Sequence, residues 1–389
     1  MGQPATPRAI LDALVGFPTV SRDSNLDLIT WVETYLDGFG VKSTRVYNAE
    51  GNKAALYANV GPQVEGGIVL SGHTDVVPVD GQDWATDPFK VVEKNGRLYG
   101  RGTCDMKGFD ALALAAVPRA LERGIKRPLQ IALSYDEEVG CIGAPPMIDQ
   151  MVNDARLPRA SAVIVGEPSM MKVVSGHKGG TGFKLHFKGF EVHSSLMHTG
   201  VNAIMFAAKI IEWANQMNAR NMAREPKSGD AIFNPPWTTV HVGTIHGGTA
   251  HNITAKDCHF GLDFRFVPGD DMAEWEALMR ARLAEIEAEM KAIHPSAAIG
   301  IERYFIVPAL QPEDQGAAET LVGRLTGRNT TEVVSYGTEA GQFQERDYSA
   351  IICGPGDIAQ AHQPNEYLTV EQFKAGEAFM NGLIDTLSA

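Results

Sequence analysis

His73 and Asp75 stand at the polar end of an apolar run, Gly67-Ile68-Val69-Leu70, and Asp105 follows in the glycine-rich turn Gly102-Thr103-Cys104-Asp105. An imidazole and carboxylates delivered from loops suit a borderline divalent cation, above all Zn²⁺. A His-x-Asp pair by itself is equally a hydrogen-bonded loop contact, so further ligands must come from elsewhere in the chain. Glu138 in the cluster Asp136-Glu137-Glu138, Glu167 in Gly166-Glu167-Pro168, and His362 all qualify. Two metal ions a few ångströms apart can share one carboxylate, with a small number of terminal ligands each. Asp105 is the natural bridge, while spacing alone leaves the pairing of the other four open. Standing alone, the acidic triplet would read as a solvated turn, because crowded carboxylates repel one another unless a cation neutralises them.

The elements that must position these residues follow from periodicity and punctuation. Thr6-Pro7 caps a helix through Leu14, and a second helix spans about Asn25 to Phe39. Strands are expected at Ala54 to Val60, Gly67 to Leu70, Leu129 to Ser134 and Ala162 to Val165, with a helix at Phe109 to Arg123 that Pro118 should bend or break. Acidic residues fall repeatedly just beyond strand C-termini, where α/β sheets place their sites. Strands alternating with helices predict an α/β fold, a mostly parallel sheet with helices on both faces. Near Lys178 the pattern changes to β-α-β-β-α-β, the order of a ferredoxin-like module. The expected organisation is a metal-binding domain in two parts, 1–178 and 307–389, carrying an inserted ferredoxin-like α+β domain at 179–306. Toward the C-terminus, Thr369-x-x-Gln372 resembles a capping box.

Composition narrows the function. A chain of 389 residues is long for one ordinary domain and suggests two. A formal charge of -13 argues against nucleic acid and anionic membranes as partners and leaves open a small cationic substrate. No apolar run approaches the length of a membrane span and the N-terminus lacks a secretory pattern, so the expected location is cytoplasmic. Cys104, Cys141, Cys258 and Cys353 lack C-x-x-C spacing and read as free thiols.

Five segments, SGHTDVVPVDGQDW, GRLYGRGTCDMKG, SYDEEVG, IVGEPS and GPGDIAQAHQPNEYL, occur in an order and spacing that resembles the zinc-dependent deacylases and exopeptidases of the M20 family, most of all its acetylornithine deacetylase branch. The resemblance spans nearly the whole chain, including the inserted domain. It implies two Zn²⁺ per subunit, with Co²⁺ or Mn²⁺ as possible substitutes: His73 and Glu167 on one ion, Glu138 and His362 on the other, and Asp105 between them. It further implies that Asp75 accepts the other ring N–H of His73 and that Glu137 is the general base for attack by metal-activated hydroxide. The implied reaction is hydrolysis of N²-acetyl-L-ornithine to L-ornithine and acetate, in arginine biosynthesis.

The same resemblance assigns substrate-side residues. KGFEVHSSLMHTGVNAI places His193 where the family supplies a donor to the partner subunit's site, implying a homodimer whose inserted domain closes as a lid. Asn252 and Arg265 fall where the family contacts substrate, and the guanidinium fork of Arg265 suits an α-carboxylate; pairing with Asp263 is the plain alternative. Lys178, in Ser175-Gly176-His177-Lys178-Gly179, and Glu339, in Gly337-Thr338-Glu339-Ala340, complete the expected substrate contacts, the acid suiting a cationic ornithine side chain. A succinyl-diaminopimelate desuccinylase or another N-acyl-amino-acid deacylase is the nearest alternative. A non-catalytic, metal-stabilised binding module is the alternative of a different class. His241, His246, His251 and His259 are scattered through this region, and histidines on separate strands make no further zinc site without geometry.

Overall fold

The computed structural model describes residues 4–389. The chain divides into two compact units, Met1–Gly176 with Leu310–Val333 and Thr338–Ala389, and His177–Ala309 with Val334–Gly337.

The first unit is built on an eight-stranded sheet with the order Ser43–Tyr47, Ala54–Val60, Leu129–Ser134, Gly67–His73, Ala160–Pro168, Ala350–Gly354, Val174–His177, Glu332–Val334. The strands Leu129–Ser134, Gly67–His73, Ala160–Pro168 and Ala350–Gly354 run parallel. They are nearly continuous apolar runs buried along their length except at Ser161, as strands covered on both faces must be. Outside them the pairing turns antiparallel on both sides, so the mostly parallel sheet expected from the sequence is a mixed one. Part of the reason is visible at Ser43–Tyr47, a strand the apolar pattern does not announce. Only the short turn at Asn48 to Lys53 separates it from Ala54–Val60, with the Asn48 side chain accepting from the amides of Asn52 and Lys53, and so short a connection can join only antiparallel neighbours.

The helix Lys107–Arg123 is continuous through Pro118, without the expected break. It is buried on nearly every side, with Leu112, Leu114 and Val117 fully enclosed in a core shared with the helices Pro7–Val15 and Val370–Ser388. That burial outweighs the hydrogen bond proline omits. The last helix keeps half of its capping box: Thr369 Oγ1 accepts from the Gln372 amide, while the Gln372 side chain turns to the Gly356 amide.

The second unit carries a four-stranded antiparallel sheet, in the order Thr239–Gly247, Asp257–Phe266, Gly179–Lys188, Ala298–Val307. The strands alternate strictly: Phe183, Leu185 and Phe187 with Cys258, Phe260, Leu262 and Phe264 point into a core completed by the helices Ala203–Ala223 and Met272–Ile293. Their neighbours in sequence, such as Lys184, His186, Asp257 and His259, stand on the opposite face. Among the described residues no helix is long and apolar enough to cross a membrane.

Candidate dinuclear metal centre

The five proposed ligands come from separate loops of the first unit and converge. His73 ends its strand, and its Nε2 lies 3.1 Å from Asp105 Oδ1 and 3.8 Å from Glu167 Oε1. His362 Nε2 lies 3.3 Å from the other oxygen of Asp105, Oδ2, and 2.9 Å from Glu138 Oε2. One carboxylate thus presents its two oxygens to two different imidazoles, each with a further carboxylate beside it. Two groups of donors result, His73 with Asp105 and Glu167, and Asp105 with Glu138 and His362, each within 4.8 Å.

Charge shows what this arrangement requires. Burial lifts the carboxyl of Glu137 to about 8 and that of Glu138 to about 7, and neighbouring carboxylates, Glu138 and Asp105 respectively, push the same way. Burial and Asp105 also raise Glu167 well above the ordinary range. His362, held by Asp105 and then Glu138, is pushed up to about 10. For Asp105 burial acts upward, but the two imidazoles outweigh it and hold the carboxyl below its usual value. Without cations such a cluster must keep protons. Glu167 Oε1 is buried with no hydrogen-bond partner, which is costly unless a ligand of another kind satisfies it. Imidazole and carboxylate donors around an orphaned oxygen fit two divalent ions sharing Asp105.

The backbone around these ligands is held with care. Asp136 and His362 adopt left-handed conformations, φ 56° and 62°, a strain of about 1–3 kcal/mol each that the surroundings must hold in place. Asp136 is fixed by Lys53 Nζ at 2.6 Å. Asp75 has a different geometry from the expected one. His73 Nδ1 donates to the Asp75 backbone carbonyl at 2.9 Å, with the carboxylate at 3.6 Å. The Asp75 carboxylate instead accepts from Ser21 Oγ at 2.7 Å and from the amides of Glu137 and Glu138 at 3.1 and 3.3 Å. It therefore orients the Glu137-Glu138 turn as well as standing behind His73.

Sequence reasoning assigned nothing to Glu366, although the segment containing it was singled out. Its carboxylate accepts from the backbone amides of Gly102, Cys104 and Asp105 at 3.1, 2.9 and 3.1 Å, and from Arg101 Nη1 at 2.7 Å. Arg101 Nη2 donates to Gln82 Oε1, and Gln82 Nε2 donates to the His362 carbonyl at 2.9 Å. One buried ion pair thus ties the Asp105 turn to the His362 loop.

The remaining expected residues divide. In the second unit His193 and Asn252 come together: His193 caps the short helix Ser194–Thr199 with its Nδ1 accepting from the Ser195 amide, and the Ser194 amide donates to the Asn252 carbonyl at 2.8 Å. That leaves His193 Nε2 as the N–H end of an exposed ring. Arg265 Nε donates to Asp263 Oδ1 at 3.1 Å, the plain pairing weighed above. Lys178 and Glu339, the other two expected substrate contacts, are both buried with partners of their own. Lys178 is 1% exposed and its Nζ donates to the Trp237 carbonyl. Glu339, also 1% exposed, is taken up by the hydroxyls of Ser134 and Ser71.

The fold and this centre agree with comparisons to known proteins. The chain belongs to the M20 peptidase family: residues 69–386 match the model described as peptidase family M20/M25/M40. It is 34% identical to an acetylornithine deacetylase of Myxococcus xanthus over 96% of this chain and 95% of that protein, and 33% identical to one from Pasteurella multocida (strain Pm70) over the same shares. An M20 family metallo-carboxypeptidase from Sulfolobus solfataricus superposes with a TM-score of 0.81 at 18% identity, covering 99% of both chains. A Bacillus subtilis protein described as a dinuclear metal binding peptidase of the family has a TM-score of 0.66 at 13% identity, covering 98% of this chain and 97% of its own. The protein is thus a metal-dependent amide or peptide hydrolase with a dinuclear metal-binding site.

Proposed function

We propose that the protein hydrolyses N²-acetyl-L-ornithine to L-ornithine and acetate, a step of arginine biosynthesis. The observation that carries the reading is the pair of imidazoles facing opposite oxygens of Asp105, in a chain that aligns end to end with acetylornithine deacetylases at 33% and 34% identity. Two divalent ions, Zn²⁺ by donor type with Co²⁺ or Mn²⁺ as substitutes, supply Lewis-acid chemistry that acidifies water and polarises an amide carbonyl. His73 and Glu167 would hold one, Glu138 and His362 the other, and Asp105 would serve both.

The chain's own residues do the rest. Glu137, held in place by the Asp75 carboxylate through its backbone amide, takes the proton from the attacking water and passes it to the departing amine. A carboxylate fixed beside the attacking water can take its proton and return it to the leaving nitrogen. His193, through its free Nε2, donates to the oxygen that gains charge, across the interface of a homodimer. Asn252 and Arg265 hold the α-amido carboxylate, Arg265 exchanging its partner Asp263 for the substrate. The domain roles follow: 1–178 and 307–389 carry the metal chemistry, and 179–306 serves as a lid and dimerisation domain.

A kinetic panel of N-acetylornithine, N-acetylcitrulline, N-acetylmethionine and N-succinyl-diaminopimelate tests the reading. The highest kcat/KM is expected on N-acetylornithine. Preference for the succinyl substrate would replace the assignment with the desuccinylase reading, and a fully metal-loaded protein inactive on all four would favour a binding module.

A further inference from the structure

In the second unit, the face of the sheet opposite its helices carries histidines in register. His259 on Asp257–Phe266 lies directly opposite His186 on Gly179–Lys188, and His246 on Thr239–Gly247 lies opposite His259. Residues opposite one another on antiparallel strands project to the same face with their Cβ atoms about 4.5–5.5 Å apart, so the three imidazoles form a row across three strands. Asp257, two residues from His259 on the same strand, shares that face. The fourth strand places Gly300 opposite His186, leaving the end of the row without a side chain.

The side chains have already drawn together. His186 Nε2 lies 2.8 Å from Asp257 Oδ1, the same imidazole-to-carboxylate contact that marks each half of the dinuclear centre. The rings of His186 and His259 stack with centroids 3.9 Å apart and 18° between their planes. One donor atom from each of His186, Asp257 and His259 lies within 4.8 Å of the others. Two imidazoles and a carboxylate suit Zn²⁺, Ni²⁺ or Cu²⁺ over Ca²⁺ or Mg²⁺, which prefer oxygen alone. The donors stand on a hydrogen-bonded sheet, so little backbone order is lost on binding. Closing the set needs only rotation of the His259 ring out of the stack.

We propose that His186, Asp257 and His259 form a third metal site, open to solvent and selective for borderline divalent cations, with His246 positioned to add a fourth ligand. It is separate in sequence and in donor set from the hydrolytic centre, and none of its residues takes part in the reaction proposed above. Three protein ligands on an open face bind more weakly than the buried pair, so the site fills only at higher free metal.

The test loads the full-length, metal-stripped protein at a series of free Zn²⁺ concentrations fixed by a chelating buffer, and counts ions per chain by elemental mass spectrometry. Wild type is expected to take up two ions and then a third in a separate, weaker step. His186→Gln and His259→Gln, both on the open sheet face, are each expected to weaken the third step at least tenfold while leaving the first two and the hydrolytic rate unchanged. Cu²⁺ added to the zinc-loaded protein is expected to show nitrogen couplings in its paramagnetic resonance spectrum that both variants lose. Wild-type uptake that stops at two ions overturns the proposal, as does a third ion retained by both variants.

Discussion

Replacing Glu366 with Gln preserves volume and one acceptor oxygen but removes the charge that faces Arg101. Both side chains of the pair are 1% exposed, so Arg101 is left buried without its counter-charge. Breaking one partner of such a pair costs about 3–5 kcal/mol. Arg101 retains Gln82 Oε1 at 2.6 Å and lies 5.1 Å from the Trp84 ring centroid, which places the expected loss at the lower end, about 3 kcal/mol. The damage should also have an address. The amides of Cys104 and Asp105 lose a charged acceptor and the His362 loop loses its link to the Asp105 turn, so the ion shared by Asp105, Glu138 and His362 is expected to bind at least tenfold more weakly. Urea unfolding of the metal-free protein reads the first effect, and competitive chelator titration reads the second. The double variant Arg101→Met with Glu366→Gln is expected to be more stable than Glu366→Gln alone, because no unpaired charge remains. A loss below about 1 kcal/mol for the single variant, with unchanged metal affinity, would refute the reasoning.

Glu137→Gln is expected to keep both ions and lose about 100- to 10,000-fold in hydrolytic rate; full activity with full metal occupancy would remove Glu137 as the base. Metal uptake at pH 7 is expected to release about one proton or more per chain, because His362 is raised to about 10 and Glu138 to about 7 without cations and both must shed protons to bind; calorimetry in two buffers of different ionisation enthalpy measures this, and a release of zero contradicts it. Gly166 sits beside Glu167 where an added Cβ would lie 2.0 Å from the Phe109 ring, so Gly166→Ala is expected to destabilise by about 1–3 kcal/mol or more in thermal unfolding. His177 is fully buried and burial pushes its imidazole down to about 4, so below the ordinary value the unfolded chain binds a proton the folded chain refuses. Stability is therefore expected to fall between about pH 6.5 and pH 4, by up to about 3 kcal/mol, and the slope should shrink in His177→Gln.

Four of the candidate ligands stand where side chain and location together suggest a site: His73 and Glu167 at the ends of buried strands, Glu138 after one and Asp105 in a glycine turn; His362, beyond the short helix Ile358–Gln360, does not. Glu366 carries no such mark, and Asp75, singled out beside His73, gave no sign of its second contact with the Glu137 and Glu138 amides. Their work is to accept backbone amides from loops distant in sequence, and nothing in the order of residues says which carboxylate will meet which amide. The burial of Lys178 against the Trp237 carbonyl and of Glu339 against Ser71 and Ser134 was likewise not legible, since a motif names a charged residue and not the partners it will meet. The module order β-α-β-β-α-β fixed the antiparallel sheet of the second unit through its hairpins and crossovers. The mixed pairing of the larger sheet depended on Ser43–Tyr47, whose alternation is too short and too polar to stand out. The histidine row was invisible for a related reason: His186 and His259 are far apart in the chain, and only strand register sets them side by side.

The account rests on one aspartate serving two cations. Crystals of the zinc-loaded protein, measured on both sides of the zinc absorption edge, are expected to show two anomalous peaks about 3.5–4 Å apart, one contacting Asp105 Oδ1 with His73 and Glu167, the other Asp105 Oδ2 with His362 and Glu138. A single peak in this centre, or two peaks of which only one touches Asp105, would contradict it.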